Sequence, residues 1–328
     1  MTMVRWKRLL VAGLGSAVAA MLFAAGPAAA QVKYPSKPIE IVVPLLAGGG
    51  TDLLARQTAA YLSKRWGVPV NVVNKPGGQT IPAQLEVYKA SKDGYTILGD
   101  GFTTSSVVEL TAPNLPFKVL DRTFLGVTYT TPMLFMVNPQ SPLQSLAAVV
   151  EDAKRNPQGF TWVSYGGISI QDFHMRKFFK AIGMDIRQTK PVLARGGAEV
   201  TTLIAGNHVK IGSNSPASIV AAHQAGLIKP IVISGAQRLP TLPDVPTFTE
   251  VSYAAVDASD WKGFSGPPGM PREAVLAWEQ ALEAMLSDPN SIKEAAKLGG
   301  LPNFRNSKDM EAQVKAEMEI AAELWKQQ

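Results

Sequence analysis

Three consecutive glycines follow the apolar run Ile39-Glu40-Ile41-Val42-Val43, and the stretch Ala47-Gly48-Gly49-Gly50-Thr51-Asp52 leads straight into an amphipathic segment. A helix that starts there exposes backbone N–H groups and a positive dipole end, which favour an anion. Glycines let the anion reach the backbone. The loop has no Lys, so it is not a phosphate-binding ATPase motif, and it lacks the full Gly-x-Gly-x-x-Gly of dinucleotide loops. Two readings stand: an anion site, or a tight strand-to-helix turn that binds nothing.

Other polar loops follow predicted strands. Gly99–Ser106 offers Phe102 with the hydroxyls of Thr103 and Thr104, and Ser164–Ile170 offers Ser164, Gly167, Ile168 and Ser169 ahead of a helix. Asn214 sits between two serines, and Arg195 follows a strand and precedes Gly196 and Gly197, which would let a carboxylate come close. Phe102, Tyr165, Phe173 and Trp261 could wall an apolar pocket or simply be core. Enzyme chemistry finds little support. The only histidines, His174, His208 and His223, show no triad or metal-ligand spacing. "SYGGIS" is not a nucleophile elbow. The chain has no cysteine, hence no thiol nucleophile, disulfide framework or cysteine zinc site. No metal or cofactor is expected.

The elements that must position these loops alternate. Strands are predicted at Ile39–Val43, Val68–Asn74 and Tyr95–Gly99, with a helix capped by Thr51 after the first and another near Ala83–Lys89 after the second. That order means parallel β-α-β units, whose ligands collect at the carboxyl ends of the strands. A similar series begins at Met133–Pro139 and runs through strands at Phe160–Gly166, Lys190–Ala194, Val209–Asn214 and Leu227–Gly235. Pro-rich Gln237–Glu250 reads as a connection, and long helical patterns close the chain at Arg272–Leu286 and Lys308–Lys326. The expected class is α/β: two lobes, each a mostly parallel sheet flanked by helices, with a cleft between them.

With 46% hydrophobic and 18% charged residues, the chain suits a globular protein. Residues 1–30 read as a secretory signal: Arg5, Lys7 and Arg8, then apolar Leu9–Phe23, then a small-residue site at Ala28–Ala30. Cleavage after Ala30 leaves 29 basic against 26 acidic residues, a net +3. No basic stripe with interleaved aromatics points to nucleic acid. No later segment sustains a membrane span, and no lipid-acceptor cysteine is present. A bacterial periplasmic location is expected.

"YPSKPIEIVVPLLAGGGTDLLAR", "VNKPGG", "KDGYTIL", "NLPFKVL", "FMVNPQSP", "LPDVPTFTE" and "WKGFSGPPGMP" occur in this order from Tyr34 onward. Collinear, they resemble the Bug family, the extracytoplasmic receptors of tripartite tricarboxylate transporters (TctC-type). The resemblance implies a periplasmic-binding-protein fold of lobe 1 (31–134 plus 250–328) and lobe 2 (135–249), closing on a small carboxylate. It implies no catalysis, no cofactor, delivery to integral-membrane permease subunits (TctA/TctB-like), and a monomer. The ligand contacts expected are Ala47, Gly48, Gly49, Gly50, Thr51, Asp52, Phe102, Thr103 and Thr104 from the first lobe. From the second they are Ser164, Gly167, Ile168, Ser169, Ile170, Arg195 and Asn214.

The chain departs from the family where ligands are read. Phe173 stands where a His is usual, and Thr202 where many members carry an Asp before "LIAG". An added Arg195 and the aromatics fit an aromatic diacid such as terephthalate; an unchanged citrate-like ligand is the other reading. An exported two-lobed hydrolase acting on a small carboxylate or ester is the alternative from another class.

Overall fold

β-branched runs with turn residues on either side build the first sheet. The computed structural model describes residues 34–112, 114–167, 169–194 and 197–326; the predicted signal segment, Ile168 and Arg195 lie outside them. The first strands are β1 (Ile39–Val43), β2 (Val70–Asn74) and β3 (Thr96–Gly101), joined by helices α1 (Gly50–Trp66) and α2 (Ile81–Lys89). β1 pairs in parallel with both neighbours, and Ile41 lies opposite Val72 on one side and Ile97 on the other. This is the predicted β-α-β unit, with its glycine loop at the carboxyl end of the central strand.

The chain then runs through β4 (Thr123–Pro132) into β5 (Leu134–Val137). There follow helix α3 (Leu146–Arg155), strand β6 (Thr161–Ser164), helix α4 (Ile170–Ala181), strand β7 (Lys190–Leu193) and helix α5 (Gly197–Ala205). Strand β8 (Gly212–Asn214), helix α6 (Pro216–Gln224) and strand β9 (Lys229–Ile233) complete this series. β10 (Ser259–Gly266) returns to the first sheet, followed by α7 (Arg272–Leu286), α8 (Pro289–Lys297), β11 (Leu301–Arg305) and α9 (Ser307–Trp325).

The larger sheet has the order β11-β4-β10-β3-β1-β2. The second series forms the antiparallel sheet β8-β5-β9 and the parallel pair β6-β7. A bridge from Trp162 to Ile211 ties β6 beside β8. The larger sheet is therefore mixed, and the second series combines an antiparallel sheet with a parallel pair. The β-α-β portions are parallel, as the alternation of elements predicts. β10 lies antiparallel between β3 and β4, because it returns from the other sheet and not through a crossover helix from a neighbouring strand.

The passage between sheets is narrow. Met133 N–H donates to the Ala258 carbonyl (3.1 Å), and Ser234 N–H donates to the Met133 carbonyl (2.8 Å). Ala258 N–H in turn donates to Ser234 Oγ (3.0 Å). Outgoing and returning chain are thus pinned side by side.

Aromatic packing fills the second series: Phe135, Phe160, Trp162, Phe178, Phe179 and Phe248 share one buried cluster, with Val256 and Tyr253 against it. A further cluster gathers Phe102, Trp261, Met310 and Leu324 with Ile170 and Phe173 of α4. Burying a side chain of this size contributes about 1.5–3 kcal/mol.

Candidate functional site

The glycine loop keeps its place through its own carboxylate. Gly48 has φ +83, a backbone region that L side chains rarely adopt. Its N–H donates to Asp52 Oδ2 (2.8 Å), and Arg56 pairs with Asp52 Oδ1 at 3.0 Å. Arg56 also reaches Asn74 Oδ1 (2.7 Å), and Asn74 Nδ2 holds the Leu45 carbonyl (3.1 Å). Burial pushes the Asp52 carboxyl up, but the Gly48 N–H, Arg56 and Asn74 outweigh it and hold the pKa below the usual value of 3.8.

Gly48 N–H is thus already satisfied and is not a bare donor for a ligand. The donors next in line are different. Helix α1 begins at Gly50 with Gly49 as its N-cap, and no side chain caps it. The expected cap, Thr51, is buried within the first turn. The amides of Gly50, Thr51 and Asp52 precede the helix's own hydrogen-bond ladder.

A second helix start faces the same cleft; its first residue is a proline and its Ser218 N–H donates to the Ser215 carbonyl (3.1 Å), which leaves the Ala217 amide as its open donor. Helix α6 begins at Pro216 with Ser215 as N-cap and no side-chain cap hydrogen bond. Asn214 Oδ1 accepts the Ser215 N–H (2.9 Å). Its Nδ2 is buried without a hydrogen-bond partner among the described residues, and Asn214 is 3% exposed. Such a donor costs free energy until something accepts from it.

These groups line one cleft of about 450 Å³, within the size range of small-molecule sites. Gly48–Leu53 form one wall, Asn214, Ser215 and Ser218 another, and Thr131, Met133, Asp260 and Lys262 the floor. A larger groove of about 570 Å³ runs along Gln57, Lys64, Arg65, Asp288 and Glu294. It follows the later turns of α1 and draws on neither the glycine loop, Asn214 nor the α6 start.

Of the expected contacts, the structure brings Gly48, Gly49, Gly50, Thr51, Asp52 and Asn214 together on this cleft. Ala47, Thr103, Gly167 and Ser169 are not part of its lining. Phe102 is 1% exposed and packs on Phe173, ring centroids 4.7 Å apart; Ile170 lies in the same core. Thr104 donates to buried Asp100 (2.5 Å), which also receives Ser105 and Ser265 and pairs with buried Arg122. That network is structural and holds the end of β3. Ile168 and Arg195 lie outside the described residues.

Ser164 and Ser169 turn inward. Both hydroxyls donate to Asp172, at 2.6 and 2.7 Å, and Tyr165 N–H joins them at 3.2 Å. Asp172 is fully buried and was missed from sequence. One signal pointed to it: Ser169-Ile170-Gln171-Asp172 has the Ser-x-x-acid spacing of a helix start. Asp260 and Lys262 were missed too, although their i, i+2 spacing on a strand puts both on one face.

Histidine chemistry is absent from the cleft. His174 is buried, stacked on Phe135 at 4.3 Å and bonded to Ser213 Oγ through Nδ1 (2.9 Å). Burial, with Lys177 beside it, pushes its pKa well down, so the ring is neutral. Among the described residues no group of three or more His, Asp or Glu could hold a metal ion, and no helix is long and apolar enough to cross a membrane.

The profile of the family described as "Tripartite tricarboxylate transporter family receptor" matches residues 54–327. The chain belongs to that family. A UPF0065 protein of Bordetella pertussis is 30% identical over 277 residues, 84% of each chain. The solved periplasmic binding protein BugD is 26% identical, with a TM-score of 0.72 over 89% of this chain and 98% of its own. An R. palustris protein solved with adipate shares 24% identity and a TM-score of 0.77 over 90% and 98%. As a member of this receptor family the chain is a solute receptor of the periplasmic-binding-protein fold and not an enzyme, which sets aside the exported hydrolase.

Proposed function

We propose that this receptor captures a small di- or tricarboxylate in the 450 Å³ cleft and hands it to the integral-membrane permease subunits of a tripartite transporter. The observation that carries this reading is the meeting of two uncapped helix starts, from α1 and α6, beside the unpartnered Nδ2 of Asn214. A carboxylate there supplies the missing acceptors. Two or three charge-assisted hydrogen bonds at about 1.5–3 kcal/mol each supply about 3–9 kcal/mol before ordering costs, against about 8.2 kcal/mol for micromolar binding, so contacts from the rest of the cleft must add to them.

The two sheets are the cores of two lobes that close on the ligand. We place the lobe crossings at Met133 and Ala258 instead of 134 and 249, because Val251, Tyr253 and Val256 pack with the second core. A ligand that touches both α1 and α6 favours the closed arrangement. Export with cleavage after Ala30, and work in the periplasm, belong to the same reading, in keeping with the similarity to periplasmic BugD.

The case for an aromatic ligand rested on Phe102 and Phe173, and both are core residues packed on each other. No aromatic side chain is among the described residues lining the cleft. The favoured ligand is therefore an aliphatic or hydroxylated diacid, a class that the same fold holds in the adipate-bound protein. Calorimetry with succinate, malate, adipate, citrate and terephthalate tests this. Expected is stoichiometric binding of the aliphatic acids ahead of terephthalate, weakened about tenfold or more by Asn214→Ala. Binding of none of them, or binding that ignores Asn214→Ala, contradicts the proposal.

A further inference from the structure

The β6–α4 loop carries the hydroxyls that the sequence offers to a ligand, yet an internal carboxylate already takes them. Asp172 accepts from Ser164 Oγ, Ser169 Oγ and Tyr165 N–H. A ligand carboxylate placed there would lose those donors and meet a like charge. A diacid held at the α1 and α6 starts must find its second partner elsewhere on the cleft.

The charged groups on the described lining are Asp52, Asp260, Lys262 and Lys297. Asp52 is engaged by Gly48 and Arg56. Lys297 pairs with Glu294, and its side chain is 59% exposed, at the rim. Lys262 and Asp260 differ: their side chains are 13% and 20% exposed and pair at 2.5 Å. They sit at i and i+2 on β10, with Trp261 turned into the core between them. Lys262 lies opposite Gly101 in the β10–β3 pairing, and its Nζ would be 3.6 Å from a Cβ on that glycine. The lysine stem thus runs beside Gly101 at ordinary contact distance, and the Trp261 carbonyl, 2.9 Å from where a Cβ would sit, is what requires glycine there.

We propose that Lys262 binds the second carboxylate of the ligand and makes the cleft selective for diacids, an inference that rests on the carboxylate-receptor reading. Asp260 is the competitor: it holds the ammonium in place until a ligand oxygen arrives, then shares or yields it. A lysine suits this exchange, being a compact charge on a flexible stem with three donors. A monocarboxylate fills only the site at the helix starts and gains nothing from Lys262.

The test is calorimetry of the exported-length chain with succinate and adipate against butyrate and hexanoate, on wild type, Lys262→Gln and Asp260→Asn. Expected for Lys262→Gln is a loss of about tenfold or more for the diacids, with monoacid affinity within about twofold of wild type. Asp260→Asn is expected to strengthen diacid binding. Equal losses for both ligand classes, no loss in Lys262→Gln, or diacid binding weakened in Asp260→Asn would each overturn the inference while the receptor reading stands. Wild type that binds none of these acids overturns the receptor reading and this inference with it.

Discussion

Asp52 does two jobs at the residue scale, tying down Gly48 and anchoring Arg56, and both need its charge. Its folded pKa lies below the ordinary 3.8, so the folded state holds the proton less tightly than the unfolded chain. The stabilisation is fully present above that ordinary value and is lost as pH falls through the folded one. Melting temperatures of wild type and Asp52→Asn should therefore differ at neutral pH and converge in acid below about pH 4. A gap that stays constant to pH 3 would mean that the carboxylate's charge contributes nothing. At this scale the sequence was legible where physics is local: glycines before a helix announce exposed amides. It was not legible where a side chain chooses its partner in the fold. Ser164 and Ser169 look like ligand hydroxyls in the sequence and become donors to Asp172 only when the loop closes around it.

Among elements, α4 has the least expected role. It runs from Ile170 to Ala181, and the face that carries Phe173, offered above as a possible pocket wall, lies in the core. Phe173 packs on Phe102 and stacks on Trp325 at 6.4 Å, and Arg176 lies over the same indole at 4.3 Å. Helix α4 of the second series is thereby joined to α9 of the first. Phe173→Ala should cost roughly 3–5 kcal/mol of stability and leave the ratio of aromatic to aliphatic ligand affinity unchanged. Chemical denaturation with parallel calorimetry checks both; intact stability with selective loss of terephthalate binding would put Phe173 in the ligand site. Strands β4 and β10 were illegible for a different reason. "TFLGVTYTTP" is buried on both faces almost throughout, so no alternation marks it, and "SDWKGFSG" mixes charge with glycine. Their pairing partners come from distant parts of the chain, which no local pattern reveals.

Across the whole molecule, the fold class was readable because alternating strands and helices admit few architectures. The cleft was only half readable: the α1 wall follows from the glycines and Asn214 from its place at the end of a strand, whereas the α6 wall and the Asp260–Lys262 floor depend on how two sheets are brought together at Met133 and Ala258. The central claim is that one carboxylate joins the starts of α1 and α6. Backbone amide NMR of the deuterated protein, titrated with succinate, reads this at the atoms concerned. The account predicts that the Gly50 and Thr51 amides, the Ala217 amide and the Asn214 side-chain NH₂ shift together and saturate at one ligand equivalent. Shifts confined to the groove around Gln57 and Asp288, or to one helix start without the other, would contradict it.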